Sequence, residues 1–200
     1  MSGSVLEVDA KIAATRRHLP GEPGIWFVIF GDLLAFGALF LTFMYYRAKS
    51  PHTFAAGHQA MNLNIGVVNT LVLLTGSLAV VQGVGAYRAG ARRAADQALT
   101  AAIVCGATFL LLKSFEYGQK VSQSLLPNSS EFFTLYYTFT GVHFAHVVFG
   151  VAILVYMRRI ARRPEPDFRD REIIESGGIF WHLVDLLWMA FFALFYLVHS

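Results

Sequence analysis

The chain has 200 residues, 56% of them apolar and only 14% charged, and its 16 Lys and Arg against 13 Asp and Glu leave a net charge of +3. A soluble domain of this length carries fewer apolar and more charged residues, so the composition excludes an ordinary water-soluble fold. The small positive surplus is accounted for by membrane topology and requires no nucleic-acid partner.

The apolar residues fall into five blocks of about 20, the length that a helix needs to cross a hydrocarbon slab of about 30 Å. Hydrocarbon offers backbone groups no water, and barrel strands are about half as long, so each block is expected to be a helix and the fold class all-α. In chain order, residues 1–24 read as a cytoplasmic tail of mixed charge with no apolar core, ending in turn-prone Pro20, Gly21, Pro23 and Gly24. A membrane domain of residues 25–200 follows. Its spans are placed at Ile25 to Tyr46, Ile65 to Tyr87, Ala98 to Tyr117, Phe132 to Met157 and Ile179 to Val198. Trp26, Tyr45, Tyr46, Tyr87, Tyr136, Tyr137, Tyr156 and Tyr196 lie near the ends of these spans, as interfacial aromatics do.

Basic residues set the orientation. Lys11, Arg16 and Arg17 lie in the tail, Arg88, Arg92 and Arg93 in the second loop, and Arg158, Arg159, Arg162, Arg163, Arg169 and Arg171 in the fourth. The first and third loops offer only Arg47, Lys49 and Lys120. The positive-inside rule therefore puts the N-terminus in the cytoplasm and the C-terminus outside, in a multi-pass membrane protein.

Two rows of small residues predict where helices meet: Gly31, Ala35, Ala38 and Thr42 on the first span, and Asn69, Gly76 and Gly83 on the second. Packing suffices for both rows, with Asn69 also able to hydrogen-bond across helices. Cys105, the single cysteine, lies inside the third span and reads as a structural thiol.

Ionisable groups within hydrocarbon are costly and should face the bundle interior. Asp32 lies about 10 Å along the first span and Asp185 at a similar depth on the fifth. His182 shares a face with Asp185 three residues away, and His146 shares one with His143. We expect Asp32, Asp185, His182 and His146 to form a buried polar cluster, in a structural and hydrogen-bonding role rather than in proton transfer. Lys113 and Glu116 are near the outer end of the third span with Lys120 beyond them. The preferred reading is a snorkelling interfacial pair; the alternative points Glu116 into the bundle as a hydrogen-bond acceptor. His143, His146 and His182 with a carboxylate would suit zinc, copper or iron, but no HExxH or cysteine motif accompanies them, and no metal is assigned.

The run Phe180-Trp181-His182-Leu183-Val184-Asp185-Leu186-Leu187-Trp188 resembles the WHxVDxxW signature of the cytochrome c oxidase subunit III family. Thr140 to Gly150 is similar to that family's helix with two histidines, Val68-Asn69-Thr70 to its NT motif, and Phe115-Glu116-Tyr117 to its acidic position. Trp26 through Phe40 resembles the helix bearing a membrane carboxylate, here Asp32 where many members have Glu. The likeness runs from Pro20 to the C-terminus, and five helices rather than seven imply the short bacterial form.

The resemblance implies an accessory subunit with no catalytic residue, haem or metal of its own. Haem, and any copper or non-haem iron, would belong to partner subunits, and the partner would be the catalytic subunit I. Phospholipid would lie in a cleft between helix groups. Asp32 and Asp185 would be its acidic pair, with Asn69, Glu116, His143, His146, His182 and Trp188 structural or lipid-cleft positions. The wording of Leu19 to Trp26, Gly31-Asp32 and Trp181 to Trp188 looks most like the branch accompanying nitric oxide reductase, with an aerobic cytochrome c or quinol oxidase as the alternative. From other classes, a b-type cytochrome or a proton-coupled transporter stay as rivals, although no inverted repeat is evident.

Overall fold

A computed structural model describes residues 23–164, 167 and 169–197. Among these residues six α-helices follow one another: α1 Pro23–Lys49, α2 Pro51–Gln59, α3 Leu63–Arg88, α4 Arg92–Ser122, α5 Glu131–Ala161 and α6 Asp170–Phe192, the last continued by a π-helical turn, Ala193–Leu197. There is no strand among the described residues. Five helices, all but α2, are long and apolar enough to cross a membrane, which makes this a multi-pass membrane protein. The expected tail with Lys11, Arg16 and Arg17, the turn at Pro20 and the final Val198 of the fifth span lie outside the described residues.

Caps and turns explain where the helices begin and end. Asn62 caps α3, its side-chain oxygen accepting from the backbone of Asn64 at 3.1 Å and Ile65 at 3.4 Å. Ser130 does the same for α5 through the amide of Phe133. The turn between α3 and α4 is tight because Gly90 takes φ +75°, so that the amide of Ala91 returns to the carbonyl of Ala86 at 2.9 Å. Pro51, at the first turn of α2, sits where a missing N–H does no harm.

The helices outrun the predicted spans. At 1.5 Å per residue, the 31 residues of α4 and of α5 cover about 46 Å, well beyond the ~30 Å of hydrocarbon. The sixth helix starts nine residues earlier than Ile179 because its first turns carry charges that find partners: Asp170 takes Arg163 at 2.8 Å and Glu175 takes Arg88 at 2.9 Å. The short α2 was not foreseen; it is held by burial of Phe54, Gly57 and His58.

One small-residue row packs as expected. Gly76 lies against Cys105, where an added Cβ would stand 3.0 Å from the cysteine's own, and Gly83 lies against Leu99. These contacts make α3 and α4 the most closely packed pair. The other row does not pack within the chain: Gly31, Ala35, Ala38 and Thr42 are exposed, and α1 instead turns Phe36 and Phe43 inward. The physical reason is the partner surface, which is built of phenylalanine rings that mesh with rings rather than with a flat row of small residues.

Two apolar cores result. One joins α3, α4, α5 and α6 around Trp181. The other is aromatic and joins α1, α2, α5, α6 and the π-turn, through Phe36, Phe43, Phe54, Phe132, Phe139, Phe191 and Phe195. Trp181 is received by three glycines, since Cβ atoms added at Gly76, Gly106 and Gly150 would lie 3.6, 2.9 and 3.1 Å from its indole.

Candidate functional site

A network of deeply buried charges lies at the end of the bundle opposite the arginines. Lys113 and Glu116 are each 1% exposed. The Glu116 carboxylate receives Lys113 Nζ at 2.9 Å on one oxygen and the hydroxyls of Tyr136 and Tyr196, both at 2.7 Å, on the other. Lys113 also donates to both phenolic oxygens and lies 5.0 Å from the ring centre of Trp188. This network ties α4 to α5 and to the π-turn.

The geometry overturns the snorkelling reading of Lys113 and Glu116. A flexible cation near a helix end can reach the interface, but here the carboxylate and two phenols offer a complete set of charge-assisted bonds inside. Tyr136 and Tyr196 are likewise not interfacial: both are buried and donate to Glu116. Sequence reasoning passed over them because aromatics at span ends have a more common explanation. The available signal was one of level, with a carboxyl near the end of one helix and phenols near the matching ends of two others.

Asp32 of α1 faces His146 of α5, Oδ1 to Nε2, at 3.4 Å. His146 Nδ1 lies 2.8 Å from the carbonyl of Val142, which can only accept, so that nitrogen carries the hydrogen. His182 and Asp185 of α6 turn instead to α3, where His182 Nδ1 meets the Ser77 hydroxyl at 2.7 Å and Asp185 lies beside the same serine. The four residues are thus placed as two pairs, one on either side of α6.

His143 occupies a third environment. Fully buried, its ring stacks on Trp188 with centroids 5.4 Å apart and meets the edges of Phe109 and Phe191. Trp188 donates to Thr70 of α3 at 3.1 Å. Asn69, next to Thr70 in the chain, is fully buried, and neither of its side-chain polar atoms has a hydrogen-bond partner among the described residues, so the expected bond across helices is not made there. The three histidines thus point to three different partners. Among the described residues no three His, Cys, Asp or Glu side chains gather as metal ligands would.

At the opposite end, Asp96 of α4 accepts from Arg158 at 2.8 Å and from Arg162 at 2.7 and 2.9 Å. Arg92 donates to the carbonyls of Arg163 and Pro164. Arginines read as topology markers thus also lock α4 to α5.

A family model described as cytochrome c oxidase subunit III matches residues 16–200. The chain is similar to cytochrome c oxidase subunit 3 of Alkalihalophilus pseudofirmus, 25% identical over 197 residues that cover 92% of this chain and 95% of the relative. It is 23% identical to cytochrome bo(3) ubiquinol oxidase subunit 3 of Buchnera aphidicola over 94% of this chain and 89% of that one. It also matches the heme-copper oxidase subunit I+III of Aeropyrum pernix, 24% identical over 87% of this chain but spanning only 22% of the relative's length.

Proposed function

The chain belongs to the cytochrome c oxidase subunit III family, and on that premise we propose that it is a non-catalytic accessory subunit of a bacterial haem-copper respiratory complex, seated against catalytic subunit I. The observation that carries this reading is that the ionisable side chains at Glu116, Asp32 and His182 within the spans are engaged in contacts between helices. Glu116 holds α4, α5 and the π-turn together, Asp32 holds α1 to α5, and His182 holds α6 to α3. Such a set rigidifies a bundle. Bis-histidine haem would instead require two rings facing one site, and a transporter a pathway between such groups.

The relative named as subunit I+III supports a seat beside subunit I. Haem, and any copper or non-haem iron, resides in partner subunits. The cleft of about 250 Å³ beside Asp32 and His146, lined also by Val28, Ala145, Phe149 and Phe180, suits phospholipid. The membrane is the bacterial cytoplasmic one, with the arginine end inside.

For the complex itself, the wording of Leu19 to Trp26 and Trp181 to Trp188 favours the branch accompanying nitric oxide reductase, whereas the names of the relatives favour an aerobic cytochrome c or quinol oxidase. Purification of the tagged chain from its native membrane in mild detergent, with mass spectrometry and an optical spectrum, tests both levels. Co-purification of a haem-bearing subunit I supports the accessory role, and that subunit's identity decides between reductase and oxidase. A solitary, stable, colourless chain overturns it.

A further inference from the structure

His146 and His182 each line a cleft of the bundle, and they differ in one respect. Both ring nitrogens of His146 are engaged within the chain, by the carbonyl of Val142 and by Asp32. His182 is half-buried and engages only Nδ1, through Ser77; its Nε2 has no hydrogen-bond partner among the described residues. One turn on, Asp185 is 6% exposed and its Oδ1 is likewise unpartnered among the described residues. Ser77 lies about 16 Å along α3 from Arg88, so these groups are deep in the hydrocarbon, where lipid tails offer neither donor nor acceptor.

A groove of about 280 Å³ leads along the surface to His182. It runs between Val81 and Gly85 of α3 and Ile179 of α6, from the Arg88–Glu175 ion pair at one end to the imidazole at the other. At Gly85 an added Cβ would meet nothing within 4 Å, so the backbone of α3 is open there to the close approach that small residues permit between membrane helices. An acyl chain would match the apolar walls but would leave His182 without a partner. A helix carrying a polar side chain matches both.

We propose that this groove seats one transmembrane helix of catalytic subunit I, which passes close to Gly85 and brings a hydroxyl or carboxamide side chain to His182. The inference rests on the accessory-subunit reading and adds to it which face of the bundle is covered: that of α3 and α6, where an ionisable side chain within the span lacks a partner, rather than the α1 row of Gly31, Ala35 and Ala38.

Photocrosslinking in the native membrane tests the face. Val81→benzoylphenylalanine should yield an adduct with a transmembrane peptide of subunit I that carries Ser, Thr, Asn or Gln, whereas Leu34→benzoylphenylalanine on α1 should yield none, both read by mass spectrometry. Gly85→Leu should lower the subunit I recovered per chain in mild detergent about tenfold, as one overpacked contact does, with the chain's own unfolding unchanged. Gly31→Leu, at an equally open place on α1, should leave recovery as in the wild type. If the Gly85 variant fails to fold, the adducts decide. Full recovery with folded Gly85→Leu, an adduct to subunit I from position 34 alone, lipid adducts only at position 81, or an adduct peptide with no polar side chain overturns the proposal and leaves the accessory role standing. A wild-type chain that brings down no subunit I overturns both.

Discussion

Tyr196 donates to Glu116 at 2.7 Å across 80 positions of sequence, joining the last described turn of the chain to the middle helix of the bundle. Because the same carboxylate neutralises Lys113, this one bond couples the C-terminal turn to the neutralisation of a buried charge.

Removing the carboxylate alone should therefore be severe. Glu116→Gln leaves the Lys113 ammonium buried without a counter-ion, at a cost of roughly 3–5 kcal/mol. Adding Lys113→Met should recover most of that loss, and Tyr196→Phe should lose less in the Glu116→Gln background than in the wild type. Unfolding in mixed detergent and dodecyl sulfate, followed by tryptophan fluorescence, measures all three. Full additivity of the Glu116 and Lys113 changes would contradict the pairing.

The glycines around Trp181 predict a sharp positional contrast. A Cβ at Gly106 would lie 2.6 Å from Val151 and 2.9 Å from Trp181, so Gly106→Ala should destabilise by about 1–3 kcal/mol, partly relieved by Val151→Ala. Gly37 meets nothing within 4 Å, and Gly37→Ala should be neutral or stabilising by up to ~1 kcal/mol in the isolated chain. The same unfolding titration reports both.

Asp96 carries the arginine-end lock between α4 and α5. Asp96→Asn should cost roughly 1 kcal/mol at low salt, since these side chains are partly exposed. The difference from wild type should shrink near 1 M salt, where screening acts over about 3 Å. A loss independent of salt would mean that packing, not charge, holds this end.

Orientation is checked with single cysteines in a Cys105→Ser background. Asn128→Cys, in the exposed turn between α4 and α5, should react with a membrane-impermeant maleimide in intact spheroplasts, and Ala89→Cys only in inverted vesicles. The reverse pattern would invert the proposed topology.

The spans were legible because their signal is additive: twenty apolar residues in a row outweigh any single misreading. The row of Asn69, Gly76 and Gly83 was legible for the same reason, a repeat that returns to one face. What escaped was pairwise. Nothing in the neighbourhood of Lys113 indicates that two phenols from α5 and the π-turn arrive at its level, and nothing around Asp96 indicates Arg158 or Arg162. The small residues of α1 misled because a row predicts a contact without saying with which chain. Asp32 and His146 could be matched by depth, but the turning of His182 and Asp185 toward Ser77 depends on the azimuth of α6, which sequence spacing leaves open.

That azimuth is fixed by Trp181. With its indole laid against Gly76 of α3, Gly106 of α4 and Gly150 of α5, the ring works as a key in a three-sided keyway: rotation of α6 about its own axis would drive it into one backbone or another. α1 has no such key and meets its neighbours through ring edges and the Asp32–His146 contact. Restraint is therefore unevenly distributed, with a four-helix block keyed at one indole and a fifth membrane helix laid on its flank.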